Sequence, residues 1–241
     1  MIPLRDANPT RRTPVVTLVL IAAATIAFAY ELGVAETGGD AALEGFVRQW
    51  GAVPRDVTAA LASGDLLGLA MVGVVTSIFL HGGWLHLIGN MLYLWIFGNN
   101  IEDRFGRLPF VLFYFAGGIA AALAQVAIDP TTDIPLVGAS GAIAAILGAY
   151  LVLYPRARIL SLVFLGVFYQ LIEVRAIIIL GFWFVLQLID GLTSLGFSEA
   201  EGGVAFFAHI GGFAAGVVVG VVVRALGSRP GARPAAGIGM G

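Results

Sequence analysis

Apolar residues fall into six runs separated by short polar stretches. They cover residues 15–30, 67–98, 110–128, 140–154, 176–195 and 204–223. Several approach the roughly 20 residues needed to cross the hydrocarbon core of a bilayer. The pattern predicts an all-α polytopic membrane protein, a bundle of six transmembrane helices. Its expected organisation is an N-terminal cytoplasmic segment, residues 1–14, and a membrane domain, residues 15–226. Within that domain, residues 31–66 form an external loop, in which Phe46, Val47, Trp50 and Val53 can rest on the membrane surface. Residues 227–241 are rich in Gly, Ala, Pro and Arg and are expected to be a disordered cytoplasmic tail.

Cation placement sets the orientation. The chain has 13 Lys and Arg residues, and every one is arginine. With six spans and the N-terminus inside, only Arg48 and Arg55 lie outside, a strong positive-inside bias. The first run also resembles a secretory signal, since Ala27-Phe28-Ala29 closes it. No soluble mature domain follows, so it is read as a span. Residues 159–171 are apolar but short and lie among cytoplasmic arginines. They are expected to form an interfacial or half-inserted segment, not a seventh span.

Composition agrees with this class. Hydrophobic residues make up 59% of the 241, charged residues only 12%, and mean hydropathy is +0.95. Soluble domains average about a quarter charged. With no cysteine, disulfides and thiolate chemistry drop out. No basic cluster in a soluble region points to nucleic acid, and the net charge of -2 indicates no partner.

Depth brings four polar residues together. Ser140 opens the fourth run in Gly138-Ala139-Ser140-Gly141 and precedes Pro155, the expected inner end of that span. At about 1.5 Å per residue it sits roughly 22 Å above the inner boundary. His209 stands at about the same height above Arg224, and His86 roughly 18 Å above Gly98, with Asn90 one turn lower. The fourth run is too short to cross alone. Residues 134–139 must therefore descend in non-helical form, surrounded by protein. Ser140 then lies at a buried helix N-terminus, whose free N–H groups and positive dipole end favour a developing anion.

Small residues permit close helix approach: Gly212, Gly216 and Gly220 on the sixth span, and Ser140, Ala144 and Gly148 on the fourth. That pairing directs His209 at Ser140, a nucleophile with its base. His86 and Asn90 share a face and can donate, with the Ser140 N–H, to a tetrahedral oxyanion. Gly138 belongs with this oxyanion and substrate-binding set. No intramembrane acid is placed to orient His209. Asp190 sits near the outer end of span five, so a Ser-His dyad is expected. The bland readings are a packing serine and a structural histidine, and four depth-matched polar groups weigh against them. A metal site on His81, His86 and His209 is disfavoured, because His81 and His86 are five apart and no carboxylate accompanies them. His81 is expected nearer the surface.

At this point the chain resembles the rhomboid intramembrane serine proteases. The likeness covers about residues 76–224. It rests on His81-Gly82-Gly83-Trp84-Leu85-His86-Leu87-Ile88-Gly89-Asn90, on Glu102-Asp103-Arg104-Phe105-Gly106, on Gly138-Ala139-Ser140-Gly141, and on Ala208-His209-Ile210-Gly211-Gly212-Phe213-Ala214-Ala215-Gly216. The resemblance implies that Ser140 is the nucleophile, His209 the base, and His86 and Asn90 supports of the oxyanion hole. It implies a structural motif at Glu102 and Arg104, expected as a packing ion pair. It also implies a cap over the site containing Gly202 and Gly203. Two departures stand out. Many relatives carry Trp-Arg shortly before span two, where this chain reads Ala70-Met71-Val72-Gly73. Some place an aromatic residue one turn after the serine, where this chain has Ala144.

The expected activity is hydrolysis of peptide bonds in or near transmembrane segments of other membrane proteins, with no cofactor or metal. Its partners are membrane-protein substrates and the lipid bilayer. The expected location is a bacterial inner membrane, with the site opening to the external side. Two other classes stay open: a rhomboid-like protein that binds transmembrane clients without cutting them, and a transporter or channel with histidine proton relays.

Overall fold

A computed structural model describes residues 1–165, 168–195 and 205–227. The expected cap residues Gly202 and Gly203, and the tail beyond Gly227, lie outside the described residues. In chain order the elements are β1 (Ile2–Asp6), α1 (Val15–Trp50), α2 (Pro54–Ser63), α3 (Leu69–Thr76) with a 3-10 turn (Ser77–Phe79), and α4 (Trp84–Tyr93). A π-helical turn (Leu94–Gly98) leads into α5 (Asn99–Phe105) and α6 (Arg107–Ile128). Then come α7 (Ser140–Leu153), β2 (Arg158–Leu165), β3 (Phe168–Arg175), α8 (Ala176–Ser194) and α9 (Phe206–Ala225).

Among the described residues four helices, α1, α6, α8 and α9, are long and apolar enough to cross a membrane. A fifth candidate is the pair Leu69–Phe79 and Trp84–Phe105, bent by 79°, and α7 is a shorter apolar helix. The chain is an integral membrane protein, mostly helical.

α7 sits at the centre. Every residue from Gly141 to Tyr150 is buried, which explains how so short a helix is accommodated: protein surrounds it instead of lipid. Glycine makes this possible. A Cβ on Gly212 would overlap the Gly141 carbonyl oxygen, one on Gly216 the Ala145 carbonyl, and one on Gly148 the Phe213 carbonyl. On α6, Gly117 meets Ala145 and Gly118 meets Ile78. The α9 glycines therefore pack on a ridge of Gly141, Ala145 and Ala149. The expected Ala144 partner is off that ridge by one residue, because Ser140 must turn toward His209 while the backbones touch beside it.

Three features depart from the expected six-run picture. β1, β2 and β3 form an antiparallel sheet in that order, with Ile2 opposite Leu162 and Arg158 opposite Arg175. Residues 159–165 and 168–171, expected as an interfacial or half-inserted segment, are thus paired strands. Antiparallel pairing satisfies the backbone groups that a half-inserted coil would leave open. Second, residues 31–66 are largely helical. α1 is broken at Gly39 (φ 72°) and folds back, so that Tyr30 lies 5.4 Å from Phe46, ring to ring. Val53 is buried at 3% exposure instead of lying on a membrane surface. Third, the second run is broken at Leu80–Gly83 before its helix continues to Phe105.

Residues 31–66 are anchored without a Trp-Arg pair. Ala52 and Leu136 exchange backbone hydrogen bonds of 3.1 and 2.9 Å, and Thr76 Oγ1 donates to the Trp50 carbonyl at 2.6 Å. Arg48 and Arg55 both reach Asp133, at 3.1 and 2.7 Å. These exposed ion pairs contribute little compared with the buried bridge.

At the opposite end Glu102 forms no ion pair with Arg104. Residues two apart point to different sides of a helix. Instead, the Glu102 carboxylate accepts from Val16 N, Thr17 N and Thr17 Oγ1 at 3.0, 2.8 and 2.8 Å, capping α1. Asp6 accepts from Tyr150 OH at 2.9 Å and Asn100 Nδ2 at 2.6 Å, tying β1 to the foot of α7. Burial raises its carboxyl above the ordinary aspartate range, against the opposing pull of those two hydrogen bonds.

Candidate active site

The chain reaches α7 through an extended stretch that is pinned on both sides. Leu136 bridges to Ala52, and Gly138 N–H donates to the Ser77 carbonyl at 2.9 Å. Gly138 has φ +117°, a conformation side chains rarely adopt. The chain then turns into α7, so Ser140 occupies the first helical position, and no side chain caps that end.

Ser140 Oγ lies 2.8 Å from His209 Nε2. On its other side, His209 Nδ1 lies 2.6 Å from Gln187 Oε1. An amide oxygen only accepts, so Nδ1 carries the proton and Nε2 presents a lone pair to the serine hydroxyl. Gln187 comes from α8, and so does Trp183, one turn earlier. The indole lies 5.8 Å from the His209 ring and 6.0 Å from Phe213. His209 therefore has an aromatic neighbour, supplied by α8 instead of the Ala144 position. The N-terminus of α9 is fixed just ahead of the histidine, where Gln125 Oε1 accepts from Phe207 N and Ala208 N at 3.1 and 3.2 Å. Asp190 takes no part; its carbonyl accepts from Thr193.

His86 and Asn90 approach from α4. Gly82 N–H donates to His86 Nδ1 at 3.3 Å, which places the neutral ring's proton on Nε2. That nitrogen faces Gly138: a Cβ there would sit 2.6 Å from Nε2 and 3.6 Å from Asn90 Nδ2. A methyl group at this position would block both donors, a second reason for glycine. Asn90 is 8% exposed, and its Nδ2 has no hydrogen-bond partner. A buried amide with an idle donor costs roughly 1–3 kcal/mol unless something occupies it.

The loop behind His86 is held from α1. The Glu31 carboxylate, 3% exposed, accepts from His81 N at 3.2 and 3.3 Å. His81 is itself packed inside the protein, at 2% exposure; Nδ1 is tied to the Phe79 carbonyl and its ring meets His86 at 5.2 Å.

The structure thus brings Ser140, His209, His86, Asn90 and Gly138 together. It leaves Glu102, Arg104 and Gly216 away from the chemistry as structural residues. Sequence reasoning missed Gln187, Trp183, Gln125 and Glu31. The signal available was cost: an amide or carboxylate inside an apolar helix is expensive and asks for a partner.

Two expectations follow. Gln187→Leu is expected to lower kcat about 10²-fold with little change in KM, since a loosened imidazole misplaces the base; Gln187→Glu, which retains an acceptor, restores most of it. Steady-state kinetics on a cleaved substrate check this, and unchanged kcat in Gln187→Leu contradicts it. His86→Ala and Asn90→Ala are expected to cost on the order of 10²–10³-fold each in kcat, the usual loss of one oxyanion donor. Equal kcat in wild type and both variants would contradict a role for them as oxyanion donors.

A family-level match, to the Rhomboid domain, spans residues 69–226. Among similar curated proteins is "Rhomboid protease GluP" of Bacillus subtilis, 38% identical over 123 residues, 51% of this chain and 23% of that one. Another is "Rhomboid protein 1, mitochondrial" of Saccharomyces cerevisiae, 29% identical over 151 residues, 61% of this chain and 40% of that protein. "Putative rhomboid protease YdcA" of Bacillus subtilis is 36% identical over 78 residues, 32% of this chain and 39% of that protein. The chain therefore spans between about a quarter and two fifths of these relatives' lengths. With the domain match running from α3 through α9, the chain belongs to the rhomboid family.

Proposed function

We propose that this protein is an intramembrane serine endopeptidase acting on transmembrane segments of other membrane proteins. One observation carries the reading: the 2.8 Å contact between Ser140 Oγ and His209 Nε2, with the imidazole's other nitrogen held at 2.6 Å by Gln187. Ser140 Oγ attacks the scissile carbonyl carbon as His209 Nε2 takes its proton. The carbonyl oxygen becomes an oxyanion facing the Ser140 N–H, His86 Nε2–H and Asn90 Nδ2–H. His209 returns the proton to the leaving amine, and the C–N bond breaks. A water, deprotonated by His209, then hydrolyses the acyl-enzyme and frees Ser140. The Gln187 oxygen accepts the Nδ1–H in both charge states of the ring and so keeps its orientation throughout.

The cavity beside Ser140 favours a small substrate residue. It holds about 30 Å³, and its lining includes Ile78, Leu136 and Val137 beside the smaller Gly118, Ala121 and Ala142. Glycine, alanine or serine next to the scissile carbonyl fits it. The arginine distribution supports six crossings, with both termini in the cytoplasm and the site opening to the outside of a bacterial inner membrane. Co-expression with a panel of single-span membrane proteins, followed by mapping of the cut, tests the reading. Cleavage in or near a span after a small residue is expected, abolished by replacing that residue with phenylalanine. Stable capture of clients with no cut would make the protein a client-binding relative instead.

A further inference from the structure

Far from Ser140, a cleft of about 330 Å³ opens between the α5–α6 corner and the C-terminal turns of α9. Its wall is Phe105, Pro109, Phe113, Val219, Val223 and Leu226, and its one charged lining residue is Arg104. Arg104 is half-buried. Its expected partner Glu102 is committed to the N-terminus of α1. Among the described residues no carboxylate oxygen forms an ion pair with Arg104. An apolar cleft with a guanidinium that has no carboxylate partner among the described residues suits an acyl chain ending in an anionic headgroup.

We propose that this cleft binds one anionic phospholipid from the leaflet on the arginine-rich side. The phosphate meets Arg104, and an acyl chain lies against Phe105, Phe113, Val219 and Val223. Three observations favour this occupant. Arg107 and Arg224 lie at the same end of the bundle as Arg104, and arginines at a membrane surface attract anionic headgroups. The guanidinium fork suits two phosphate oxygens. The chain's own tail, which continues from Gly227 at the edge of the cleft, is a poor occupant. It carries Arg229 and Arg233, which repel Arg104, and few large apolar side chains. The proposal does not depend on the proteolytic reading, because the cleft shares no lining residue with the serine site.

Native mass spectrometry of the purified full chain tests it, with dioleoyl phosphatidylglycerol and dioleoyl phosphatidylcholine as probes. Preferential retention of one phosphatidylglycerol is expected. Arg104→Gln should weaken that retention about fivefold, the effect of one interfacial arginine, and leave phosphatidylcholine unchanged. Arg104→Lys should keep most of the preference. Val219→Trp, which fills the slot without altering charge, should reduce retention of both lipids. Inorganic phosphate alone should neither bind at Arg104 nor displace the lipid. Equal retention of the two lipids by the wild type, or undiminished phosphatidylglycerol retention by both Arg104→Gln and Val219→Trp, overturns the proposal. So does displacement by phosphate, which marks a headgroup-only anion site. A rise in lipid retention when the chain is ended at Gly227 also overturns it, by identifying the tail as the occupant.

Discussion

Ser140→Ala and His209→Ala are each expected to remove proteolysis, lowering kcat on the order of 10⁶-fold while leaving the protein folded and inserted. The two side chains act as one unit. Without His209 the hydroxyl keeps its proton, and without Ser140 the base has nothing to activate. The double variant should therefore be no slower than either single one. Neither truncation removes a group that packs the core: Ser140 contributes only a hydroxyl at the head of α7, and His209 is partly exposed. Melting temperature and detergent behaviour should stay near wild type. Cleavage of a mapped substrate by each purified variant is the check, and substantial cutting by Ser140→Ala sinks the assignment.

Gly216→Leu is expected to disable the protein from a distance. Gly216 packs against the backbone of Ala145, and even a Cβ there would overlap that carbonyl. The clash is with backbone, not with a flexible side-chain end, so nothing can rotate out of the way. α7 and α9 must separate. Overpacking typically costs 1–3 kcal/mol, and this site belongs at about the upper figure. For a chain of this size that corresponds to a fall of roughly 6–12 °C in Tm. The same separation carries Ser140 away from His209, and about 1 Å of misplacement costs around 10²-fold in rate. Wild-type melting and turnover in Gly216→Leu would show that these two helices do not meet on the glycine face.

The alignment of Ser140 with His209 was legible in the sequence because it depends only on chain direction, rise per residue and span ends. The short fourth run also announced a buried helix preceded by irregular chain, and residues 134–139 lie outside any helix as that argument requires. The exact helix register was less accessible. The glycine repeat of α9 is visible in sequence, but whether it rests on Ala144 or Ala145 turns on about 100° of α7 rotation, which small residues on every face leave undetermined. Gln187 stayed hidden for another reason. It is 22 positions from His209 on a different span, and nothing in the apolar run around it indicates direction. The resemblance also led to an ion pair between Glu102 and Arg104 that helix geometry disallows. The hairpin at Arg158–Arg175 was missed because a run of Ile, Leu, Val and Phe fits a buried helix and a strand equally well by periodicity. The fold-back at Gly39 rests on one glycine conformation inside an otherwise helical stretch.

Fluorophosphonate labelling with peptide mapping tests the central claim most directly, because it reads activation of the nucleophile without needing a substrate. The account predicts one adduct, on Ser140, absent from Ser140→Ala, nearly absent from His209→Ala and slowed about 10²-fold in Gln187→Leu. An adduct on a different serine, or undiminished labelling of Ser140 in His209→Ala, would contradict it.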